Sequence, residues 1–326
     1  MASIKDVAKQ AGVGIATVSR VINHSGYVKK ETRERVEKVI KEMNFKPNEI
    51  ARSMTRQKNR IVAFIVPNIT HLFFAELVNS FEEELYNHGY KLMVCHSSQQ
   101  IEKEIVYLDM LKNNRVDAIV LLTNNDIEKH LDKSLPLISF DRRFDNVPFV
   151  ASDNFHGGVL AANHLIDQGC KNLMFIGDDA QGENTPVLTE VSKRRYGFME
   201  QCKMRGLEDV INIEYPLADY IQIPAHVHDE IQLHPEVDGI FCISDAVATE
   251  VILNLEKHGR RVPEDIRVIG FDGGRSFNNL GKHLTSIGQD PQKIATALVD
   301  IIDAYYKGLK LKNQIIPIYF QKGDTA

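Results

Sequence analysis

Two sets of residues in this chain have types and spacing that could do chemistry. The first surrounds Arg20, in the stretch Ile15, Ala16, Thr17, Val18, Ser19, Arg20, Val21, Ile22. Val18, Val21 and Ile22 recur at helical spacing, and Ile15, Ala16, Thr17, Ser19 and Arg20 lie around the rest of the surface. A guanidinium on such a surface can donate a bidentate pair of hydrogen bonds to the major-groove edge of guanine. The second set is dispersed: Asn68, Asp141, Asp178, Ser244, Asp245 and Asp272 each close an apolar run of strand character. Polar groups at strand ends bind ligands where strands alternate with helices, because the crevice of such a sheet lies outside the carboxyl ends of its strands.

The elements that must position Arg20 precede it. Ile4, Val7, Ala8 and Ala11 fall on one helical face. Ser3 is placed to cap that helix, with Asp6 three residues on in a capping-box arrangement. Gly12, Val13 and Gly14 break the period before the second helix begins. The pair reads as a helix-turn-helix, whose second helix enters the major groove and meets base edges with its N-terminal residues. Any small amphipathic helical hairpin would share the pattern, but charge separates the two readings. Residues 1–60 carry 14 Lys and Arg against 6 Asp and Glu, within a chain whose net charge is -5. A basic head on an acidic body is the footprint of nucleic-acid binding.

A third helix is expected over Lys29–Met43, with Val36, Val39, Ile40 and Met43 inward and Lys29, Lys30 and Arg33 placed for phosphates. Pro47 suits the first position of a short helix reaching Met54. Two turns are too few to be stable alone in water, so this segment would order only with DNA and a second copy. Met54 is its one large apolar group and could wedge between base steps in the minor groove. An ordinary linker containing a chance Met is the plainer alternative.

From Arg60 the pattern becomes repeated strand–helix units. Ile61–Val66 is a continuous apolar run, and Phe73–His88 is helical with Leu77, Phe81 and Leu85 inward. The series restarts after Val150, with a helix expected over Gly157–Asp167 and, at the chain's end, one last strand over Gln314–Gln321. Continuous apolar strands alternating with amphipathic helices indicate parallel sheets covered on both faces. The expected fold class is an all-α head followed by a two-lobed α/β body of doubly wound sheets. The cleft between the lobes would be lined by the strand-end residues.

With these residues in view, the chain resembles the lac-repressor/galactose-repressor family of bacterial transcription regulators, most of all the sucrose-operon repressors of Gram-positive bacteria. The resemblance is carried by Ile4 to Ala8, Thr17 to Asn23, Pro47 with Asn48, and Ala51-Arg52-Ser53. In the body it is carried by Arg194 with Gly197 and Phe198, by Ser244-Asp245, and by Val268 to Asp272. It implies a homodimer on a pseudo-palindromic operator. Ile15, Ala16 and Arg20 match its base-reading positions, and Thr17, Ser19 and Asn23 its phosphate-contacting or bracing positions. Ile15 and Ala16 lack hydrogen-bonding side-chain groups, so their contribution is shape and thymine-methyl contact. Ser3, Lys29, Asn48, Ala51 and Arg52 join the DNA-binding set, with Met54 standing where the family usually has a leucine wedge.

For the body the resemblance implies a small sugar or sugar-phosphate effector between the lobes. Arg194 and Asp272 match the residues that face it from one lobe, and Asp141, Phe73 and Phe74 those on the other. Ser244 stands where some sugar-binding members have Asn, beside Asp245. The plainer alternative makes Asp141 and Asp272 strand-end caps and the two Phe core. The implied domains are a head at 1–46, a hinge helix and linker at 47–60, a first lobe at 61–152 with 290–317, and a second at 153–289 with 318–326. A phosphorylated phosphocarrier protein as corepressor is the competing partner within the family.

Other classes fit less well. Cys95, Cys170, Cys202 and Cys242 form no Cys-x-x-Cys pair, as expected for reduced, buried thiols in a cytoplasmic protein. The N-terminus is polar, and the apolar runs fall far short of a membrane span, which argues against a secreted sugar binder. There is no nucleophile–base order, metal-ligand spacing or phosphate loop, so neither an enzyme nor a cofactor is expected. Gly157-Gly158 and Gly273-Gly274 are too weak to indicate a phosphate loop.

Overall fold

A computed structural model describes residues 3–22, 25–45, 59–178, 189–215, 229–274 and 281–326. These form two compact units, one up to Asn59 and one from Arg60 onward. Asn23, Asn48, Ala51, Arg52 and Met54, and with them nearly all of the expected hinge, lie outside the described residues.

The first unit holds α1 (Ile4–Ala11), α2 (Ile15–Ile22) and α3 (Lys30–Glu42). Ser3 caps α1 through a complete capping box, with Asp6 N–H donating to Ser3 Oγ and Ser3 N–H donating to Asp6 Oδ2. Gly12 ends α1 in the left-handed region at φ 61°, a conformation that favours glycine. Val7, Ala8, Ala11, Val18, Val21, Val36 and Val39 make a shared core. Each is small, so three short helices approach closely around one centre.

The second unit is built on two six-stranded sheets. The first contains β1 (Ile61–Val66), β2 (Lys91–His96), β3 (Ala118–Leu121), β4 (Leu137–Phe140), β5 (Phe149–Ser152) and β11 (Gln314–Ile316). Its order is β11-β5-β4-β3-β1-β2, and every pairing is parallel. Alternate residues of β1 serve opposite faces. Val62, Phe64 and Val66 pack under α4 (Leu72–Asn87) and α9 (Pro291–Tyr306), while Ala63 and Ile65 meet α5 (Ile101–Lys112). Burial on both faces is why the run reads as uninterrupted rather than alternating.

The second sheet contains β6 (Leu173–Asp178), β7 (Ile211–Tyr215), β8 (Gly239–Cys242), β9 (Arg267–Asp272), β10 (Thr285–Gly288) and β12 (Tyr319–Gln321), in the order β12-β10-β9-β8-β6-β7. Only β12 runs antiparallel, against β10. The helices on this sheet include α6 (Asn154–Asp167), α7 (Lys193–Met204) and α8 (Asp245–Lys257).

Two local expectations are corrected. The single last strand is two, because Pro317 has no N–H to continue a ladder; β11 joins the first sheet and β12 the second. α6 begins at Asn154 rather than Gly157, because Asp153 caps it by accepting from His156 N–H. The four cysteines are free and buried. Burial pushes the thiols of Cys95 and Cys170 up to about 11, so they are poor nucleophiles at neutral pH.

Candidate functional site

On the head, α2 presents Ile15 at 46% exposure, together with exposed Ala16 and Arg20. Thr17 and Ser19 are half-buried. Val18 and Val21 are spent on the core, so the outward residues are those that helical spacing leaves over. Gly26 (φ 69°) lies under the Arg20 stem, where a Cβ would meet Cδ at 3.6 Å. Lys29 is exposed at the N-cap of α3. Ser3 is committed locally: its hydroxyl donates to Asp6 Oδ2 at 2.7 Å and accepts from Asp6 N–H. These bonds hold the Asp6 carboxyl below its usual value.

In the second unit, a cavity of about 170 Å³ opens among the carboxyl ends of both sheets. Phe73, Phe74, Asp141, Arg194, Ser244 and Asp272 line it. Asp245 does not. It is the first residue of α8 and turns into its own lobe, where Oδ1 accepts from Ser286 Oγ and Oδ2 from Gly274 N–H. Its neighbour Ser244 caps α8, accepting from Val247 N–H at 3.3 Å. Asn68 lines the cavity, with its Oδ1 taken by Thr70. Asp178 closes β6, and its side chain lies outside the described residues.

Arg194 is 4% exposed and held on three sides. Its Nε donates to Asn154 Oδ1 and its Nη1 to the Ile243 carbonyl, each at 2.7 Å. Its guanidinium lies 3.5 Å from the centroid of the Phe271 ring. The height of α7, which carries Arg194, is set by glycines. A Cβ on Gly158 would fall 2.0 Å from the Arg194 carbonyl oxygen, and one on Gly197 2.0 Å from the Phe155 carbonyl oxygen. Backbone-to-backbone contact of α6 and α7 therefore requires both. The Gly157-Gly158 pair is a helix-packing device rather than a phosphate loop.

Asp141 and Asp272 both leave their strands with positive φ, 53° and 121°, a strain that persists only where surroundings over-determine it. Asp272 Oδ1 accepts from Gln289 Nε2 at 2.8 Å and lies 3.7 Å from Arg194 Nη1. Asp272 Oδ2 faces His71 Nε2 at 3.8 Å. Burial pushes the Asp272 carboxyl up, against the pull of Arg194 and His71. Burial likewise pushes Asp141 up to about 7, opposed chiefly by Arg194. Asp141 Oδ1 and Asp272 Oδ2 are buried without a hydrogen-bond partner among the described residues.

The two lobes are tied at this cavity. Glu190 N–H donates to the Asp141 carbonyl at 2.9 Å, and Arg143 Nε to Glu190 Oε1. His71, Asn154 and Gln289 complete the site and were not singled out by sequence. Gln289 is findable by the strand-end rule, since it follows β10. His71 sits in the loop after β1, and no spacing marks it. Among the described residues, no group of three His, Cys, Asp or Glu could hold a metal ion, and no helix is long and apolar enough to cross a membrane.

A profile of bacterial regulatory proteins of the lacI family matches residues 3–48. A second, of periplasmic binding proteins and the sugar-binding domain of the LacI family, matches residues 59–322. The chain belongs to the LacI family. Along its full length it is 35% identical to the whole sucrose operon repressor of Streptococcus mutans. Its fold matches that of the lac repressor dimer bound to operator and the anti-inducer ONPF, at TM-score 0.86 and 20% identity over 99% of this chain and 98% of that one. A periplasmic binding protein/LacI transcriptional regulator from Alkaliphilus metalliredigens, complexed with D-xylulofuranose, is 25% identical over 82% of this chain and 99% of its own, at TM-score 0.72. As a LacI-family member the chain is a DNA-binding transcriptional repressor, not an enzyme.

Proposed function

We propose that this repressor controls a carbohydrate-utilisation operon, of sucrose or a related sugar, and is released from its operator by a small sugar-like effector bound between the lobes. The observation that carries this reading is the cavity in which Arg194 and Asp272 of one lobe meet Asp141 and Phe74 of the other. Carboxylates accept from vicinal hydroxyls, a guanidinium donates to ring and hydroxyl oxygens, and an aromatic face covers the apolar side of a sugar. The sucrose operon repressor relative and the D-xylulofuranose complex support the same class.

The working unit on this reading is a homodimer in the cytoplasm on a pseudo-palindromic operator. Arg20, Ile15 and Ala16 read bases; Thr17, Ser19, Asn23 and Lys29 hold phosphates; Asn48, Ala51, Arg52 and Met54 belong to the minor-groove hinge. The lobes, 61–152 with 290–317 and 153–289 with 318–326, close on the effector about their crossovers. Closure rotates the first lobes of the dimer, separates the hinge segments of 47–60 and loosens the heads. This is a coupling free energy between two sites.

The test is a gel shift with genomic fragments, with and without sugars. The expected result is a salt-sensitive, sequence-specific complex dissolved by one sugar. A chain that binds sugar yet shows no sequence-specific DNA complex sinks the proposal.

A further inference from the structure

We propose that Arg143 and Glu190 form an ionic clasp that holds the two lobes together in the ligand-free chain and presets the cavity in its closed arrangement. The inference goes beyond the sugar reading and does not depend on it.

The clasp joins two separately built pieces. Arg143 follows β4 of the first sheet, and Glu190 precedes α7, which packs on the second. Arg143 Nε donates to Glu190 Oε1 at 2.5 Å, and its Nη2 lies 3.5 Å from Oε2. The guanidinium stands 4.7 Å from the centroid of the Phe149 ring in β5, so its own lobe braces the cation that reaches across. The Glu190 side chain is only 6% exposed, against 57% for Arg143. An ion pair between two exposed groups contributes little, but a carboxylate this buried is costly without charged or hydrogen-bonding partners.

The segment that carries Glu190 also builds the cavity. Thr189 and Val191, on either side of it, are lining residues. Glu190 N–H holds the Asp141 carbonyl at 2.9 Å, and the Val191 carbonyl accepts from Arg194 N–H at 3.0 Å in the turn that begins α7. The residues gripped by Arg143 therefore connect the cavity's carboxylate on one lobe with its guanidinium on the other. Neither the ion pair nor the Glu190–Asp141 bond is covalent, so both can part while the chain crossovers stay intact.

Lys193 keeps the clasp reversible. Its Nζ lies 2.8 Å from Glu190 Oε2, from three residues along the same turn. When the lobes separate, Lys193 travels with Glu190, and the carboxylate keeps one cation while it gains water. The clasp thus favours closure without locking it. A ligand then meets a binding-competent fraction that is already populated, and its apparent affinity rises in proportion to that fraction.

The experiment is a pulsed electron-spin-resonance distance measurement on the full-length, ligand-free chain, labelled at Lys129→Cys and Glu200→Cys. Both positions are exposed, one on each lobe, and the four native thiols are buried. Labelled chain is diluted in an excess of unlabelled chain, so the distance read lies within one chain. Arg143→Met and Glu190→Gln are each expected to lower the closed-to-open ratio about threefold, and the double variant to be no more open than either single one. Raising salt from ~0.1 to ~1 M, which shortens the screening length from ~10 to ~3 Å, is expected to open the parent and to leave Glu190→Gln unchanged. Parent and Arg143→Met with the same distance distribution, additive effects of the two changes, a parent that ignores salt, or a salt response that survives Glu190→Gln each overturns the clasp. The salt series on the parent needs no variant to fold. All of these outcomes are read without ligand or DNA, so they leave the sugar reading to the gel shift.

Discussion

The hydroxyl of Ser152 lies 2.6 Å from Gln289 Oε1, and the polarity of that contact is forced from the far side of the glutamine. Gln289 Nε2 reaches Asp272 Oδ1 at 2.8 Å. An ionised carboxylate only accepts, so the amide must turn its NH2 toward Asp272 and its oxygen toward Ser152, which then donates. A directed chain thus runs from the end of β5 in one lobe to a carboxylate that lines the cavity in the other. Its three members are all buried.

Gln289→Glu should break that chain. It places a second carboxylate where an amide met Asp272, so one group must protonate or swing away. Effector affinity should fall at least tenfold by calorimetry. Ser152→Ala should be milder, leaving the buried Gln289 oxygen unpaired at a cost of ~1–3 kcal/mol. Equal, negligible effects of both changes would show that the chain does not orient Asp272.

Arg20→Ala should cost ~1–3 kcal/mol on operator DNA and much less on random DNA, as read by fluorescence anisotropy. The salt slope should stay nearly constant, since slope reports phosphates neutralised at ~0.9 each. Equal loss on both DNAs would move Arg20 from base reading to phosphate contact.

Arg194→Ala should give a repressor that is not released by effector. The change empties a site that Asn154, the Ile243 carbonyl and Phe271 build around one guanidinium. A variant released at the wild-type effector concentration would remove Arg194 from the effector site.

Asp141 sets a pH dependence. Its folded pKa stands at about 7, above the usual 3.8, because burial disfavours the charge. Between those values the folded state binds more protons than the unfolded one, so this group's contribution to stability falls as pH rises from about 4 to 7. Asp141→Asn should therefore raise the ligand-free Tm at pH 8 and flatten its fall over that window, while weakening sugar binding. A Tm at pH 8 below that of the parent would contradict a buried, costly charge at this position.

Gly158→Ala should part α6 from α7, because the new methyl meets backbone that cannot step aside. Overpacking of this kind costs ~1–3 kcal/mol. Affinity for effector should drop along with Tm, because Arg194 rides on α7. A fall in Tm with unchanged effector affinity would show that the crossing does not set the height of Arg194.

Much of this architecture was legible in the chain. The run Ile61–Val66 announced a strand buried on both faces, and the period of Ile4, Val7, Ala8 and Ala11 announced a helix. The strand-end rule placed Asp141, Ser244 and Asp272 at one ligand-facing edge, and all three line the cavity. The same rule included Asp245, whose carboxylate instead braces Gly274 and Ser286; adjacent residues at a helix start point in different directions, and spacing alone does not say which faces the cleft.

By itself the sequence determined the periodic elements, the basic head and the outward residues of α2, because local spacing decides which side chains a helix buries. It also determined that acids would cluster at strand ends. Tertiary structure alone decided that His71 and Gln289 meet Asp272, that the strands on either side of Pro317 join different sheets, and that Gly158 and Gly197 hold Arg194 in place. Each of these depends on segments far apart in the chain being brought within a few ångströms, and no local pattern of apolar and polar residues encodes such an approach.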